Sequence, residues 1–549
     1  MLLAVAMACA AATVIWLSRG ATYWPDDLAW FMFTPEVSAS EAFEPHYGHL
    51  VLTSRIVYKG VLETIGSDYV TFRVVLAIVV ASTAGLFFVY ARRRVGDLAA
   101  LIPTVLLLFL GAGWVHVVIP TGATVLAGVA LGLAALIALD RGDRRGDIAA
   151  CVLLCLGAAT YTTAIPYAVA AGVCVLLAPR RLERSWIFAI PLALYGIWFI
   201  AARQAGAGPE QQTDVLNLLL APVWALDSLA LVLASLTGLG YPFGGIVVDP
   251  DAGRVLVVIA LAGLAWHFQR RGMTPGLWVA LAVPLTYWTM AAAASGIEDR
   301  VPTLSRYIYP GAVAVLLVAV EVFRDRPLPL RTLGAVAAVG AVGLAMNLVL
   351  LRDAARIYRG PYTDEVRAEL AAIDVARDHV EPDFNPTAVE GGTYLGGIGS
   401  AWDALGFAGE QGTAAYLDAS SRYGSPAFSV SELERESEVL RSHADAVLAG
   451  ALELSLQPRG PPDERRCEVV RGSGDAPATA RLPAGGGYLR ARNPATVDVN
   501  VRRFASGQTT PVGALSGQWM ELEIPTDEAS DPWYLSVDAR ELELCPRLT

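Results

Sequence analysis

Two aspartates, Asp26 and Asp27, stand side by side a few residues past the first apolar stretch, in the run Tyr23-Trp24-Pro25-Asp26-Asp27-Leu28-Ala29-Trp30. A carboxylate flanked by tryptophans at a membrane interface is partly desolvated, which raises its pKa and suits it to serve as a general base. The proline-fixed turn tilts the choice slightly toward Asp26. The same pair also fits a helix start, since Asp is a preferred N-cap and Pro a preferred first helical residue; local sequence leaves both readings open. A second polar cluster follows in Glu44-Pro45-His46-Tyr47-Gly48-His49. Glu44, His46 and His49 suit substrate contact or a structural role. A carboxylate with His-x-x-His also suits a divalent metal, although the spacing fixes no third strong ligand. Much later, Ser305-Arg306-Tyr307-Ile308-Tyr309-Pro310 opens an apolar segment. The planar fork of Arg306 matches a lipid-linked phosphate bidentately and stays charged at any physiological pH. Snorkelling, or pairing with Glu298 or Asp299, is the plainer alternative. His116, Thr121, Tyr161, Thr162 and Thr163 are polar residues of other turns that are candidates to line the same space.

The elements that must position these residues are mostly membrane spans. The chain has 549 residues, of which 54% are hydrophobic and 17% charged, against about 25% charged in soluble domains. Apolar runs of spanning length recur from Met1 to about Leu351 and then stop. Met1 to Leu17 reads as the first span, with others expected near 70 to 91, 97 to 115, 121 to 139, 148 to 162, 163 to 179, 186 to 202, 254 to 268, 276 to 294, 307 to 323 and 332 to 351, eleven in all. Arginines cluster at 92–94, 141–145, 180–184, 270–271 and 324–331, and positive-inside makes those ends cytoplasmic. They alternate correctly only if Val215 to Gly240, punctuated by Gly and Pro, is re-entrant or interfacial. The amino terminus is then expected inside. The loop at 19 to 69, the turn at 112 to 122, the 203 to 253 region, the 295 to 306 loop and the whole tail are expected outside. Within the first loop, Leu52, Ile56, Val57, Val61 and Ile65 recur at helical spacing, with Arg55, Lys59 and Glu63 on another face, as in an amphipathic helix lying on a membrane surface. The 203 to 253 region contains Tyr241-Pro242-Phe243-Gly244-Gly245, a possible lid sequence without a catalytic residue.

The adjacent acidic pair soon after the first helix, the interfacial helix after His49, the odd number of spans, the Arg-Tyr pattern with Pro310 three residues beyond Tyr307, and an outward tail resemble the GT-C superfamily of polyprenyl-phosphate-sugar-dependent membrane glycosyltransferases. The resemblance covers the whole architecture through short motifs. It implies that Asp26 or Asp27 deprotonates an acceptor hydroxyl as it attacks the anomeric carbon, while Arg306, with Tyr307, binds the donor's phosphate. The partners implied are a polyprenyl-phosphate-linked sugar, a cell-envelope glycan acceptor and the bilayer itself. A transporter or flippase, or a non-catalytic envelope-assembly protein, are the alternatives. A transporter calls for ionisable residues at mid-membrane, and charges are nearly absent from the centres of these segments.

Residues 1–351 are thus expected to form a GT-C-like polytopic α-helical membrane domain and 352–549 an extracytoplasmic soluble domain, helical and mixed over 352–460 and β-rich over 461–549. From Arg352 onward there are 31 acidic against 19 basic residues, so no basic stripe suits nucleic acid. A helix is expected from Tyr362 to Val380 with Thr363 as N-cap. A second is expected toward Leu452, opened by the capping-box pattern Ser431-Glu432-Leu433-Glu434. Segments near 467 to 472, 487 to 492, 496 to 504, 519 to 524, 533 to 538 and 541 to 545 read as strands of a small β-sandwich, in which Trp519, Trp533 and Tyr534 are either core residues or sugar-stacking platforms. Cys467 and Cys545 bracket that stretch and suit a structural disulfide outside the reducing cytoplasm.

Overall fold

The computed structural model describes residues 1–549 apart from 34–37, 39–40, 47, 180, 205–214, 242–245, 295–300, 327, 382–383, 385–411, 463–466, 474–475, 493–495, 526–530 and 548–549, and apart from the side chains of 25, 33, 215–216 and 361–362. The sequence readings at 242–245 and at Glu298 and Asp299 lie outside the described residues. The chain forms two compact units. One comprises Met1–Arg19, Glu36–Val61 and Val70–Ile357, the other Gly20–Pro35, Leu62–Tyr69 and Tyr358–Thr549. The second unit therefore takes two pieces of the first loop together with the tail, which a single cut along the chain does not express.

The first unit is a polytopic helical array. Among the described residues, eight helices are long and apolar enough to cross a membrane, including Tyr69–Val95, Gly122–Leu139, Pro275–Ala293 and Ser305–Val322, and three shorter apolar helices accompany them, Leu2–Leu17, Asp97–Leu108 and Thr162–Leu177. Against the eleven spans expected from the sequence, eight helices are of spanning length, and the helices differ from the expected segments at two places. The segment expected at 148 to 162 is the helix Arg144–Thr160, whose first turn carries Arg144, Arg145 and Asp147; Asp147 is taken up by Arg184 at 2.6 Å. The stretch expected to be re-entrant or interfacial forms an unbroken helix, Ala221–Thr237, within an apolar segment Asn217–Thr237 of spanning length. The reason is positional. Pro222 sits in the first turn and Gly238 (φ 76°) ends the helix, so the punctuation marks the boundaries and leaves the interior regular.

Polar stitches hold these helices at fixed depth. Asn347, buried in the helix Leu330–Ile357, accepts from the backbone N–H of Ala112 at 3.0 Å and donates to the carbonyls of Ser235 and Gly343 at 2.8 Å each. Ser305, opening the helix Ser305–Val322, donates to the carbonyl of Ala112 at 2.7 Å and accepts from the N–H of Val115 at 3.4 Å. The turn between these contacts needs Gly111, because a Cβ there would fall 1.9 Å from the Asn347 carbonyl oxygen.

In the second unit, helices Glu365–Ala376, Gly412–Tyr423 and Glu438–Ala451 accompany two antiparallel sheets. Thr363 is not an N-cap: it lies in a π-helical turn, Tyr358–Asp364, and donates to the carbonyl of Arg359. The capping box is displaced by two residues from the pattern expected. Ser429 and Glu432 form it around the single turn Val430–Leu433, and Ser437 caps the longer helix that follows. Numbered along the chain, the strands are β1 (Leu456–Pro458), β2 (Glu468–Arg471), β3 (Ala478–Arg481), β4 (Gly486–Ala491), β5 (Val497–Arg502), β6 (Thr510–Leu515), β7 (Met520–Glu523), β8 (Tyr534–Val537) and β9 (Glu541–Pro546). They order as β1-β7-β4-β9-β2 and β3-β8-β5-β6. Leu489, Leu522, Leu542 and Leu544 of the first sheet and Val499, Val501, Leu535 and Val537 of the second are buried, the inward alternation of a β-sandwich. Cys467 and Cys545 are joined by a disulfide, tying the start of β2 to β9. Trp533 is core, 4% exposed. Trp519 and Tyr534 are each covered by a guanidinium, Arg490 at 4.6 Å and Arg502 at 4.7 Å from the ring centroid.

Candidate functional site

In the second unit, the short helix Pro25–Phe33 places Asp26 and Asp27 in its first turn, where carboxylates are favoured by the helix dipole. Their environments differ. Asp27 has no exposed surface, and the hydroxyl of Tyr69 donates to its Oδ2 at 2.7 Å. The Tyr69 and Tyr358 hydroxyls lie 2.6 Å apart, and Tyr358 donates to the carbonyl of Thr22 at 2.8 Å. Around this relay pack Tyr23, 4.8 Å from the Tyr69 ring, and Trp24, 5.7 Å from the Tyr358 ring. Asp26, one residue earlier, keeps part of its surface exposed. The stretch that ends in Tyr69 is held by Glu63, which accepts from Arg422 at 2.7 Å and from the Tyr423 hydroxyl at 3.0 Å, and by the backbone bond from Ser67 to the Tyr423 carbonyl.

In the first unit, His46 and His49 close a tight turn through two reciprocal backbone hydrogen bonds of 2.9 Å, with Gly48 at φ 78° between them. Arg55 ties the preceding strand of loop down by donating to the carbonyls of Glu41 and Glu44 at 2.6 and 2.9 Å. Burial, and then the charge of Arg55, push the His46 imidazole down to about 3, so it is neutral at any working pH. His49 packs 4.4 Å from the Tyr161 ring, and its Nδ1 lies 3.0 Å from the Thr162 hydroxyl. Glu44 is exposed. Among the described residues no three His, Cys, Asp or Glu side chains converge to hold a metal ion. The divalent-metal reading finds no supporting geometry among the described residues.

Arg306 is exposed in the first turn of the helix Ser305–Val322, its guanidinium 5.4 Å from the Tyr307 ring. Tyr307 meets Trp224 edge-on at 4.9 Å. With Tyr287 it packs on the buried Trp224 and Trp288. Tyr287 lies within electrostatic reach of Tyr307, Tyr161, Arg306 and Tyr167. His116 is likewise in reach of Arg306, and burial, then that charge, push it down to about 3. Arg306 is thus within electrostatic reach of His116 and Tyr287, and Tyr287 in turn of Tyr161, whose ring packs on His49. Sequence reading missed the partnership of Tyr69 and Tyr358 with Asp27 altogether; their positions at the ends of two apolar helices were the only available signal.

A cavity of about 260 Å³ in the first unit is lined by none of the residues singled out for chemistry. Its polar wall is a charge-balanced lock. Arg94 pairs with Asp140 at 3.0 Å and with the fully buried Glu321, which also accepts from the Tyr90 hydroxyl at 2.8 Å and faces Arg324 at 3.2 Å.

No known protein-family profile and no curated protein matches the sequence. The chain is similar in structure to the crystal structure of ArnT from Cupriavidus metallidurans bound to undecaprenyl phosphate, with a TM-score of 0.43 and 14% identity, over 70% of this chain and 81% of that one.

Proposed function

We propose that the protein is a membrane glycosyltransferase that moves a sugar from a polyprenyl-phosphate donor to a cell-envelope acceptor on the outer side of the plasma membrane. The orientation proposed with it, amino terminus in the cytoplasm and tail outside, requires that the helix Ala221–Thr237 lie at the interface and not cross the bilayer. The observation that carries this reading is the environment of Arg306: an exposed guanidinium in the first turn of a candidate span, beside the Tyr307 ring and within electrostatic reach of His116 and Tyr287. Such a group favours a phosphate at the bilayer edge. Asp26 is the general base, because its partly exposed carboxylate is accessible whereas Asp27 is enclosed and engaged by Tyr69. Asp27 holds the turn that presents it. In the reaction the acceptor oxygen forms a bond to the anomeric carbon and its proton passes to Asp26. The bond from that carbon to the phosphate oxygen breaks, and its electron pair leaves on the lipid phosphate beside Arg306 and Tyr307. His49, against Thr162 and Tyr161, is placed to bond sugar hydroxyls; Glu44 and His46 shape the loop.

A transport reading has less support. The buried ionic groups Arg73, Arg94 and Glu321 sit near the ends of their helices, and Asp227, within an apolar segment, faces Arg254 at 3.6 Å. The test is incubation of the purified protein with a panel of polyprenyl-phosphate sugars and glycan acceptors. Transfer is expected, with Asp26→Asn lowering kcat by roughly 10²-fold or more and Arg306→Ala raising KM for the donor. Transfer that survives Asp26→Asn unchanged would remove the base assignment, and failure to transfer from any polyprenyl-phosphate sugar would remove the function.

A further inference from the structure

His116 is an unusual histidine for its position. It lies in the single helical turn Val115–Val118, is 2% exposed, and its Nδ1 is buried without a hydrogen-bond partner among the described residues. An orphaned buried nitrogen costs about 1–3 kcal/mol and calls for an explanation. The backbone around it is not free to relax. Ser305 bonds both Ala112 and Val115, a Cβ at Gly122 would fall 2.5 Å from the His116 Cα, and one at Gly113 would fall 3.0 Å from the Tyr309 Cβ. Those same contacts set His116 beside the first turn of the helix that carries Arg306. Tyr309, one turn after Arg306, is fully buried and its hydroxyl is also without a partner.

We infer that His116 is the second side chain, after Arg306, that binds the phosphate of the polyprenyl-phosphate donor, donating from Nδ1 to a phosphate oxygen; the inference rests on the function proposed above. In the unliganded protein, burial and the guanidinium keep the ring neutral. One nitrogen of a neutral imidazole is a donor, and protonation on Nδ1 gives the orphaned atom the proton that a phosphate oxygen accepts. As the anomeric C–O bond breaks, the phosphodiester monoanion becomes a phosphomonoester dianion. A fixed donor at that oxygen is worth more in the transition state than in the ground state. Arg306 supplies the charge and His116 the direction.

The experiment is titration of the full-length protein in nanodiscs with a polyprenyl monophosphate and, separately, with the corresponding polyprenol, followed by tryptophan fluorescence. A hydrogen bond to a charged group corresponds to roughly a ten- to hundredfold change in affinity. His116→Phe is expected to weaken phosphate binding by about that much while leaving polyprenol binding unchanged. His116→Asn, whose amide nitrogen reaches the Nδ1 position, is expected to restore most of the affinity, and His116→Gln, which reaches the other ring nitrogen, is not. The Asn and Gln pair decides the matter even if the Phe variant does not fold. Equal losses for phosphate and alcohol, or equal behaviour of Asn and Gln, overturn the inference in favour of a packing role. If Arg306→Ala weakens phosphate binding but no His116 variant does, the inference falls and the transferase reading stands. If the wild type binds phosphate no better than polyprenol, both fall.

Discussion

At the scale of single residues, the two adjacent aspartates separate by burial. Asp27 accepts from Tyr69 in a fully buried setting, so Asp27→Ala or Tyr69→Phe removes a buried hydrogen bond to a carboxylate and should lower stability by about 1–3 kcal/mol, read as a fall in the thermal midpoint. Asp26→Asn should leave that midpoint in place and abolish transfer. His443 gives a pH signature. Burial opposes its charged form, but the Glu369 carboxylate 2.5 Å away, with Glu365 beyond it, outweighs burial and raises its pKa above the ordinary 6.5. The stability this pair supplies is therefore fully present below about pH 6.5 and is lost as pH rises through the higher folded value. The wild type should lose part of its thermal midpoint as pH rises above about 6.5, and His443→Gln should flatten that slope; an unchanged slope would refute the assignment. Asp26, Asp27, Arg306 and His49 are singled out in the sequence by residue type and local flanks. Tyr69 and Tyr358 are not, since they stand 289 positions apart and neither has a local pattern that marks it.

At the scale of elements, length and apolarity made the spans readable, and the places where reading failed have local causes. Gly and Pro in 215 to 240 act at the helix ends, and the arginines of 144–145 are part of the helix they were expected to precede. The strands passed over were β1, only three residues long and ending in proline, β3, short and with little alternation, and β6, which carries Pro511 and Gly513, residues that are depleted in strands. The six strands expected carry alternating or bulky residues. Packing between helices yields a sharper forecast than propensity does. With 1.9 Å between a Cβ at Gly111 and the Asn347 carbonyl, Gly111→Ala forces backbone apart and should cost at least the roughly 1–3 kcal/mol typical of overpacking. Asn347→Ala should cost a comparable amount by leaving the Ala112 N–H and two carbonyls without their partner. Both are checked by detergent-solubilised thermal unfolding, and a midpoint within 1 °C of wild type in either would contradict this account of the interface.

At the scale of the whole molecule, the chain is a membrane-length helical unit joined to an acidic unit braced by a disulfide. Breaking that bond by Cys467→Ser should cost about 2–5 kcal/mol, seen as a lowered unfolding transition of the β-rich part. A membrane-impermeant maleimide should label a cysteine engineered at exposed Gln508 in intact cells; protection until the cells are opened would reverse the proposed orientation. One feature bears on how such a protein is dissected. Tyr358 and Thr363 lie beyond the last apolar helix, yet Tyr358 sits in the relay that reaches Asp27, and the compact unit containing both aspartates also contains the tail. A tail deletion therefore does more than trim an appendage, because it strips the acidic pair of its scaffold. Loss of activity on shortening the gene would arise even if the sandwich never touches a sugar, and only point changes within the sandwich can tell a recognition module from a foundation stone.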